Sequence, residues 1–529
     1  MPKVLPKVLI ADELSPRAVA IFAERGIEAD TLPGLELAEL KARIGLYDGL
    51  AVRSATKVTR ELLDHAGRLK IIGRAGIGVD TIDVAAATGR GIVVMNTPYG
   101  NSITAAEHTI AMLFALCRQI PAADRSTQAG KWEKSRFMGV ELCGKTLGII
   151  GCGNIGSLVA ERAEGLRLKV VVYDPYLSSE RALSLGVEKV SLEELYARAD
   201  FVTLHTPLNE GTRGMIGADA LARMKRGVRI VNCARGGLIV EKDLALALDE
   251  GHVAGAAIDV FEKEPARESP LFGRDTLVAT PHLGAATNEA QENVARQIAE
   301  QMADFLLSGA VANAVNMPSL TAEERKRLNP YMTLAEELRS LAGQLVEGGI
   351  EWVAIEYDGA AAELRVKALS AIALMGLLKP QLAEVNPVNA PYLCRQRNIK
   401  ISEVLNREDG DYHTLMRLRV RTEKGEHSLA GSLFGGNKPR LVAIDAIPLE
   451  AELGGHMLFV RNNDRPGLIG ALGGTLGAAE VNIATFHLGR TAPGAEAIAL
   501  VAVDQEPKPA LLERVRALPN VIEVKALKF

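Results

Sequence analysis

Lys145-Thr-Leu-Gly-Ile-Ile-Gly151-Cys-Gly153-Asn-Ile-Gly156 decides how this chain is read. The apolar run at 147–150 predicts a buried strand. It passes into Gly151-x-Gly153-x-x-Gly156 and then into a helical pattern over 157–166. A second apolar run, 169–173, ends at Asp174, 18 residues beyond Gly156. A glycine triplet alone is equally an ordinary loop. With a strand before it, a helix after it and an acid closing the next strand, it becomes a dinucleotide fingerprint. Gly151 permits the tight turn, Gly153 lets the backbone approach a pyrophosphate, and Gly156 lets the helix lie close on the strand. The helix N-terminus turns unpaired N–H groups and a positive dipole end toward the phosphates. A carboxylate at Asp174 accepts the ribose hydroxyls of NAD and repels the extra phosphate of NADP.

Downstream, the alternation continues. Strands are predicted at 201–205, 229–232, 256–259 and 277–280, with helices at 192–198 and 241–250 between them. Upstream, runs at 7–11, 49–52, 70–72 and 92–95 alternate with amphipathic segments at 16–24 and 60–65. This is a second parallel α/β pattern whose turns carry no phosphate fingerprint. Two of its strand ends bear cations, in Val52-Arg53-Ser54 and Gly73-Arg74-Ala75-Gly76-Ile77-Gly78, at the position where parallel sheets bind ligands. An apolar helix from Asn101 to about 119 joins the two units, with Asn101, Ser102 and Thr104 as possible N-caps. One long helix over 288–308 returns to the first. The expected organisation is a discontinuous substrate domain (1–100 and 290–317) and a nucleotide domain (101–289), with a ligand cleft between them. Lys131, Lys134 and Arg136 fall in a basic stretch read as a solvated loop.

Composition narrows the class. At 529 residues, the chain holds about three or four domains. Hydrophobic residues make up 48%, but aromatics only 4%, so aliphatic side chains and alanine must fill the cores. A net charge of −4 gives no reason to expect nucleic acid or an acidic membrane as partner. Five scattered cysteines, at 117, 143, 152, 233 and 394, form no CxxC pair and no metal spacing, so they read as reduced thiols in a cytoplasm. The N-terminus lacks a signal-peptide apolar core, and no apolar run reaches the ~18 residues of a membrane span.

From 318 to 453 the signals weaken. A helix is expected at 330–347 and strands at 352–357, 417–420 and 441–444, with no motif of evident chemistry. Gly454-Gly455 reads as a linker. The remainder, 454–529, is cleaner. Strands at 456–461, 482–490, 497–503 and 521–524, with helices at 466–478 and 508–517, give βαββαβ, a ferredoxin-like order.

A hydride enzyme acting on a hydroxy acid needs a base for the hydroxyl proton, a cation for the carboxylate and a closed cleft. Candidates lie at strand ends of the fingerprint unit. His282 follows a strand in Thr-Pro-His-Leu-Gly, and histidine transfers protons near neutral pH. Glu264, in Asp-Val-Phe-Glu-Lys-Glu-Pro, can hydrogen-bond that imidazole and fix its tautomer. Arg235, in Asn-Cys-Ala-Arg-Gly-Gly, offers a planar fork for a carboxylate. Asp259 closes a strand and is read as a holder of the nicotinamide amide, with a helix cap as the plain alternative. His205-Thr206-Pro207 can line the cofactor. Singly each has an ordinary structural reading; jointly, on successive strand ends of one sheet, they make a site.

Taken together, Gly-Cys-Gly-Asn-Ile-Gly, His-Thr-Pro-Leu, Asn-Cys-Ala-Arg-Gly-Gly, Asp-Val-Phe-Glu-Lys-Glu-Pro and Thr-Pro-His-Leu-Gly resemble the D-isomer-specific 2-hydroxyacid dehydrogenase family in order and spacing across 1–317. Asn463-Asp-Arg-Pro-Gly-Leu-Ile-Gly470 with Val481-Asn-Ile resembles an ACT domain, a small effector-binding module. The combination resembles the long branch of that family, with an intervening domain at 318–453 of the allosteric substrate-binding type and an ACT domain at 454–529. The resemblance implies a cytoplasmic homotetramer that oxidises 3-phospho-D-glycerate to 3-phosphohydroxypyruvate with NAD, the first step of L-serine biosynthesis.

The resemblance makes Arg235, Glu264 and His282 catalytic. It implies cofactor contacts from Gly151, Gly153, Asn154, Ile155, Gly156, Asp174, Thr206, Pro207, Cys233, Ala234, Arg235, Asp259, His282, Gly284 and Ala285, and no metal. Substrate contacts are expected from Arg53, Ser54, Arg74, Gly76, Asn101, Arg235 and His282. Arg53 is the first choice for the phosphate and Arg74 the second, with Lys131, Lys134 and Arg136 as further candidates from a neighbouring subunit. L-Serine is the effector implied, through Asn462, Asp464 and Asn482. In serine-inhibited relatives an aromatic residue and an acid often precede Arg-Pro-Gly; here Asn462 and Asn463 stand ahead of Asp464. The alternatives are oxidation of another 2-hydroxy acid (glyoxylate, hydroxypyruvate or lactate chemistry) and a non-enzymatic NAD-sensing protein.

Overall fold

The computed structural model describes residues 5–320, 322–378, 385–408 and 410–529, with residue 322 described in its backbone alone. Its first sheet holds β1 (Lys7–Ile10), β2 (Glu28–Thr31), β3 (Gly49–Val52), β4 (Ile71–Arg74) and β5 (Val93–Asn96). All pairings are parallel, in the order β2-β1-β3-β4-β5. The four inner or far strands are buried along nearly their whole length, which is why they read as continuous apolar runs. The edge strand β2, Glu-Ala-Asp-Thr, is half exposed and carries no such run, so the apolar pattern does not reveal it.

The second sheet holds β6 (Thr146–Ile150), β7 (Lys169–Tyr173), β8 (Glu188–Lys189), β9 (Phe201–Leu204), β10 (Val228–Asn232), β11 (Val253–Ile258) and β12 (Leu277–Ala279). Its order, β12-β11-β10-β9-β6-β7-β8, reverses direction between β6 and β9. That is the topological switch point of a doubly wound sheet, where a nucleotide crevice opens. Both sheets are Rossmann-like.

Two long helices tie the sheets together. Ser102–Cys117 packs Met112, Leu113 and Leu116 against the nucleotide sheet. Asn101 occupies its cap position without a side-chain cap hydrogen bond, Ser102 Oγ donates to Pro98 O instead, and Thr104 Oγ1 lies 3.4 Å from Thr287 Oγ1. None of the three expected side-chain caps is therefore made. Asn288–Ser308, capped by Thr287, crosses back and buries Val294, Ile298 and Met302 with Val8, Ile71 and Val93 of the first sheet.

The third sheet contains β13 (Ile350–Gly359), β14 (Lys400–Asn406), β15 (Thr414–Thr422), β16 (Gly425–Phe434), β17 (Lys438–Ile444) and β18 (Ile447–Ala451), in the order β14-β13-β15-β16-β17-β18. The helix expected from residue 330 begins at Ala322 and carries Pro330 in its interior. Proline there costs one backbone hydrogen bond. The early turns are held by other groups: Arg325 Nη1 donates to Gly309 O at 2.8 Å and Glu324 pairs with Arg365 at 3.2 Å.

The last sheet has β19 (His456–Asn463), β20 (Ile483–Arg490), β21 (Glu496–Val503) and β22 (Val521–Lys528), antiparallel, in the order β20-β21-β19-β22. This is the ferredoxin-like arrangement. Leu458 and Val460 face the domain's own helices, beside Leu472, Leu476 and Val515. Met457 and Phe459, one residue out of phase, face the other way and join the core of the intervening domain with Leu338 and Leu341.

Candidate active site

The fingerprint folds as its residues require. Gly151 takes φ +92°, a backbone region open to glycine, and a Cβ there would press on the His205 carbonyl at the end of β9. Helix Asn154–Gly165 starts directly at the turn, and a Cβ on Gly156 would collide with Gly151 O. Gly153, by contrast, faces space with no atom within 4 Å of where its Cβ would stand. Asp174, half-buried at the tip of β7, accepts from Cys152 N and Tyr176 N, both at 2.8 Å. The carboxylate thus sits on the turn itself. Open backbone over a twelve-residue helix N-terminus, with an acid on the rim, fits a pyrophosphate and a ribose. Asn154 Nδ2 reaches Pro98 O across the cleft at 3.2 Å, Ile155 packs in the nucleotide-domain core, and Thr206 lies against Gly151.

Arg235, Glu264 and His282 sit on loops after β10, β11 and β12. His282 Nδ1 lies 2.8 Å from Glu264 Oε2. Both are partly open, with 45% and 37% of their side-chain surface exposed. Burial alone would raise the Glu264 carboxyl; its hydrogen bonds from His282 and from Phe261 N outweigh that and hold it below the ordinary range. It is therefore a carboxylate at neutral pH, and the Nε2 edge of the imidazole is left for a substrate. Arg235 Nε donates to Asp80 Oδ2 at 2.7 Å and Nη1 to Ala234 O at 2.7 Å. The turn that carries it is fastened by Asn232, whose amide donates to Arg235 O and accepts from Ala234 N.

Asp259 is fully buried. Its carboxylate accepts from Thr280 Oγ1 (2.6 Å), Leu283 N (2.7 Å) and Gly284 N (2.9 Å), and lies 3.2 Å from His108 Nε2. Desolvation would raise its pKa, yet His108, Thr280 and the Leu283 N–H keep it lowered. Its carbonyl also accepts from the backbone N of His282, which stands at φ +57°. Asp259 thus shapes the loop that presents His282, a task that the sequence reading, centred on the nicotinamide, missed together with His108 and Thr280. His108, Asp259 and Cys233 bring donor atoms within 4.8 Å of one another, but these internal hydrogen bonds already occupy the carboxylate. Cys233 and Ala234 line the buried floor nearby, and burial pushes the Cys233 thiol up to about 12.

Across the cleft, Arg74 closes β4 and Arg53 follows β3. Burial, and then the nearby cations Arg235 and Arg53, lower the Arg74 guanidinium to about 10, still charged at neutral pH. Arg74 Nη1 donates to Ala75 O at 2.6 Å, while its Nε and the Asn101 Oδ1 are buried with no protein partner. Such orphaned groups are costly unless a ligand or water meets them. A Cβ on Gly76 would run into the Arg74 guanidinium. Ser54 is exposed. The loop carrying Arg53 is fixed by Asp12, 4% exposed, which accepts from Arg53 N (2.5 Å), Thr56 N (3.1 Å) and Thr56 Oγ1 (2.6 Å). Asp12 lies two residues past β1 and Asp80 two residues past Gly78.

Two groups of expected residues do not converge in this chain. Lys131 and Lys134 are exposed, and Arg136 pairs with Asp275 at 2.7 Å on the nucleotide domain. Asn462 and Asp464 lie at the Arg490 end of the terminal sheet, where Asp464 accepts from Arg490 Nη1 at 2.5 Å. Asn482 lies at the opposite end, bonded to Asp504 at 2.8 Å. Antiparallel β19 and β20 flank β21 with these ends apart, so the expected effector trio is not one site within a single chain.

The two Rossmann-like domains and the strand-end site define a D-isomer-specific 2-hydroxyacid dehydrogenase. Residues 110–284 match the family model "D-isomer specific 2-hydroxyacid dehydrogenase, NAD binding domain", 327–445 the "D-3-phosphoglycerate dehydrogenase intervening domain" and 456–520 the ACT domain. The chain is 41% identical to the D-3-phosphoglycerate dehydrogenase of Methanocaldococcus jannaschii over 99% of its own length and 100% of the relative's. For that of Bacillus subtilis the values are 38%, 98% and 99%. Among solved structures, it resembles NAD+-bound 3-phosphoglycerate dehydrogenase from Entamoeba histolytica (31% identity, TM-score 0.51), covering 59% of this chain and 99% of that one. It also resembles a glyoxylate reductase from Paecilomyes thermophila (30%, TM-score 0.55; 60% and 99%). The chain belongs to the D-3-phosphoglycerate dehydrogenase family.

Proposed function

We propose that the chain oxidises 3-phospho-D-glycerate at C2 to 3-phosphohydroxypyruvate with NAD, as the first step of L-serine biosynthesis. The observation that carries this reading is the Glu264–His282 pair, at 2.8 Å, and Arg235 at strand ends of the NAD sheet, facing the arginines of the first domain. NAD, when bound along Gly151–Gly156 and Asp174, supplies the hydride acceptor. His282 takes the C2 hydroxyl proton at Nε2, with its ring held through Nδ1. Glu264 stabilises the protonated imidazole. Arg235 binds the carboxylate and the C2 oxygen, and Arg53 and Arg74 bind the phosphate. Lactate or glycolate would leave those two cations without an anion.

The working domains are 1–100 with 290–317 for substrate, 101–289 for NAD, 318–453 intervening and 454–529 for regulation. The ACT domain supports an amino-acid effector, with L-serine as the ligand of choice. A site using Asn462, Asp464 and Asn482 then requires two copies, in keeping with a homotetramer. Exposed Ile103, Ile120, Trp132 and Met138 of the NAD domain support self-association. The free cysteines support a cytoplasmic setting, and among the described residues no helix is long and apolar enough to cross a membrane.

The test is NADH formation followed by absorbance, with 3-phospho-D-glycerate, D-lactate and glycolate as substrates. Turnover with the phosphorylated acid alone is expected. Equal kcat/KM for D-lactate would overturn the substrate assignment.

A further inference from the structure

Arg235 has five N–H donors in a rigid plane. One Nη1 hydrogen is used by Ala234 O and the Nε hydrogen by Asp80 Oδ2, each at 2.7 Å. Three N–H donors remain, one on Nη1 and two on Nη2, so the Nη1–Nη2 edge can still grip a carboxylate with two parallel bonds. Two contacts orient that edge, and the acceptor at Nε does not belong to the domain of Arg235. Asp80 stands on the loop after β4, six residues past Arg74, in the first domain. The approach is close because Gly78 has no side chain: a Cβ there would collide with Arg235 Nη2 and lie 2.7 Å from Asp80 Oδ2. As a surface ion pair, with 28% and 47% of the side chains exposed, the contact contributes little to stability. Its effect lies in geometry, since a displacement of about 1 Å at a substrate-holding group costs about 100-fold in rate. Asp80 also favours the charge of Arg74, so a single carboxylate acts on the two cations that meet opposite ends of the substrate.

We propose that Asp80 is a positioning residue for Arg235, a cross-cleft latch that turns its Nη edge toward the substrate carboxylate only when the two domains are brought together. This rests on the reading of Arg235 as the carboxylate holder. Because the latch spans the cleft, domain closure supplies the second of the two contacts that aim Arg235, the first being Ala234 O of its own domain.

The experiment is steady-state kinetics on the full chain for Asp80→Ala, Asp80→Asn, Arg235→Lys and the Asp80→Ala/Arg235→Lys double variant. NADH affinity by fluorescence titration and Tm are measured in parallel. Asp80→Ala should lower kcat/KM for 3-phospho-D-glycerate by about 10- to 100-fold, with NADH affinity and Tm unchanged. Asp80→Asn should lose less, because its amide oxygen still accepts from Nε. The double variant should be no worse than Arg235→Lys alone, since the latch then has nothing to aim. Gly78→Ala, which fills the groove from the other side, should reproduce the loss. Wild-type kcat/KM in Asp80→Ala beside an impaired Arg235→Lys removes this proposal alone, as do losses that multiply in the double variant. Wild-type kcat/KM in Arg235→Lys removes the site reading with it.

Discussion

Replacing Glu264 with Gln keeps the shape of the contact with His282 and removes its charge. The two groups meet at 2.8 Å between Nδ1 and Oε2, with charge centres about 4 Å apart. At an effective dielectric near 20, the carboxylate stabilises a protonated imidazole by about 4 kcal/mol. Because 45% of the His282 and 37% of the Glu264 side chain face solvent, screening reduces this to about 1.5–2 kcal/mol. That is one to one and a half decades in rate or in a proton equilibrium. In the oxidation direction, Glu264→Gln should therefore lower kcat about 10- to 30-fold. The sign for stability follows from the lowered carboxyl. Its contribution is full above the unfolded value near 4.3 and is lost as pH falls through the lower folded value, so it does not alter stability between pH 6 and 8. The assay is initial-rate NADH absorbance between pH 6 and 10, with NAD and 3-phospho-D-glycerate varied. An unchanged kcat would refute the proton-holding role given to this pair.

Other changes are equally specific. Asp174→Ala should weaken NAD binding about tenfold and raise NADP use, read from kcat/KM for each dinucleotide; a variant that keeps the wild-type ratio would contradict the role of the rim carboxylate. Gly156→Ala forces a methyl onto Gly151 O and should cost about 1–3 kcal/mol, seen as a lower Tm, with loss of NAD affinity by titration. Burial and neighbouring cations lower Arg74 to about 10, so KM for 3-phospho-D-glycerate should rise as pH passes about 10 while KM for NAD holds. The sign for folding is opposite, because loss of that buried proton relieves the folded state. In Arg74→Ala, the alkaline rise in KM should vanish.

The fold was most legible where the polypeptide is most regular. Buried parallel strands such as β3 and β7 announce themselves as apolar runs, and Asn288–Ser308 as an unbroken helical period. Some edge strands do not. β2 and β14 alternate or mix polar residues because solvent meets them, and only their register with β1 and β13 makes them strands. Pro330 misled for a related reason, since a proline that usually starts a helix is held inside one by contacts from distant residues. At the site, the residues proposed to react stand out in the sequence because chemistry restricts their types. The groups that aim them do not: Asp12, Asp80 and His108 act through contacts 41 to 155 residues away in sequence, which no local pattern encodes. The effector residues come from a likeness between loops, and the sheet order that sets them at opposite ends of one chain is not written in either loop.

The account stands most directly on His282 as the base. His282→Ala, with dinucleotide affinity first verified by NADH titration, should lose turnover with 3-phospho-D-glycerate by about 100- to 10,000-fold at pH 8 while still binding NADH as the native chain does. Turnover within a few-fold of the native chain would contradict it.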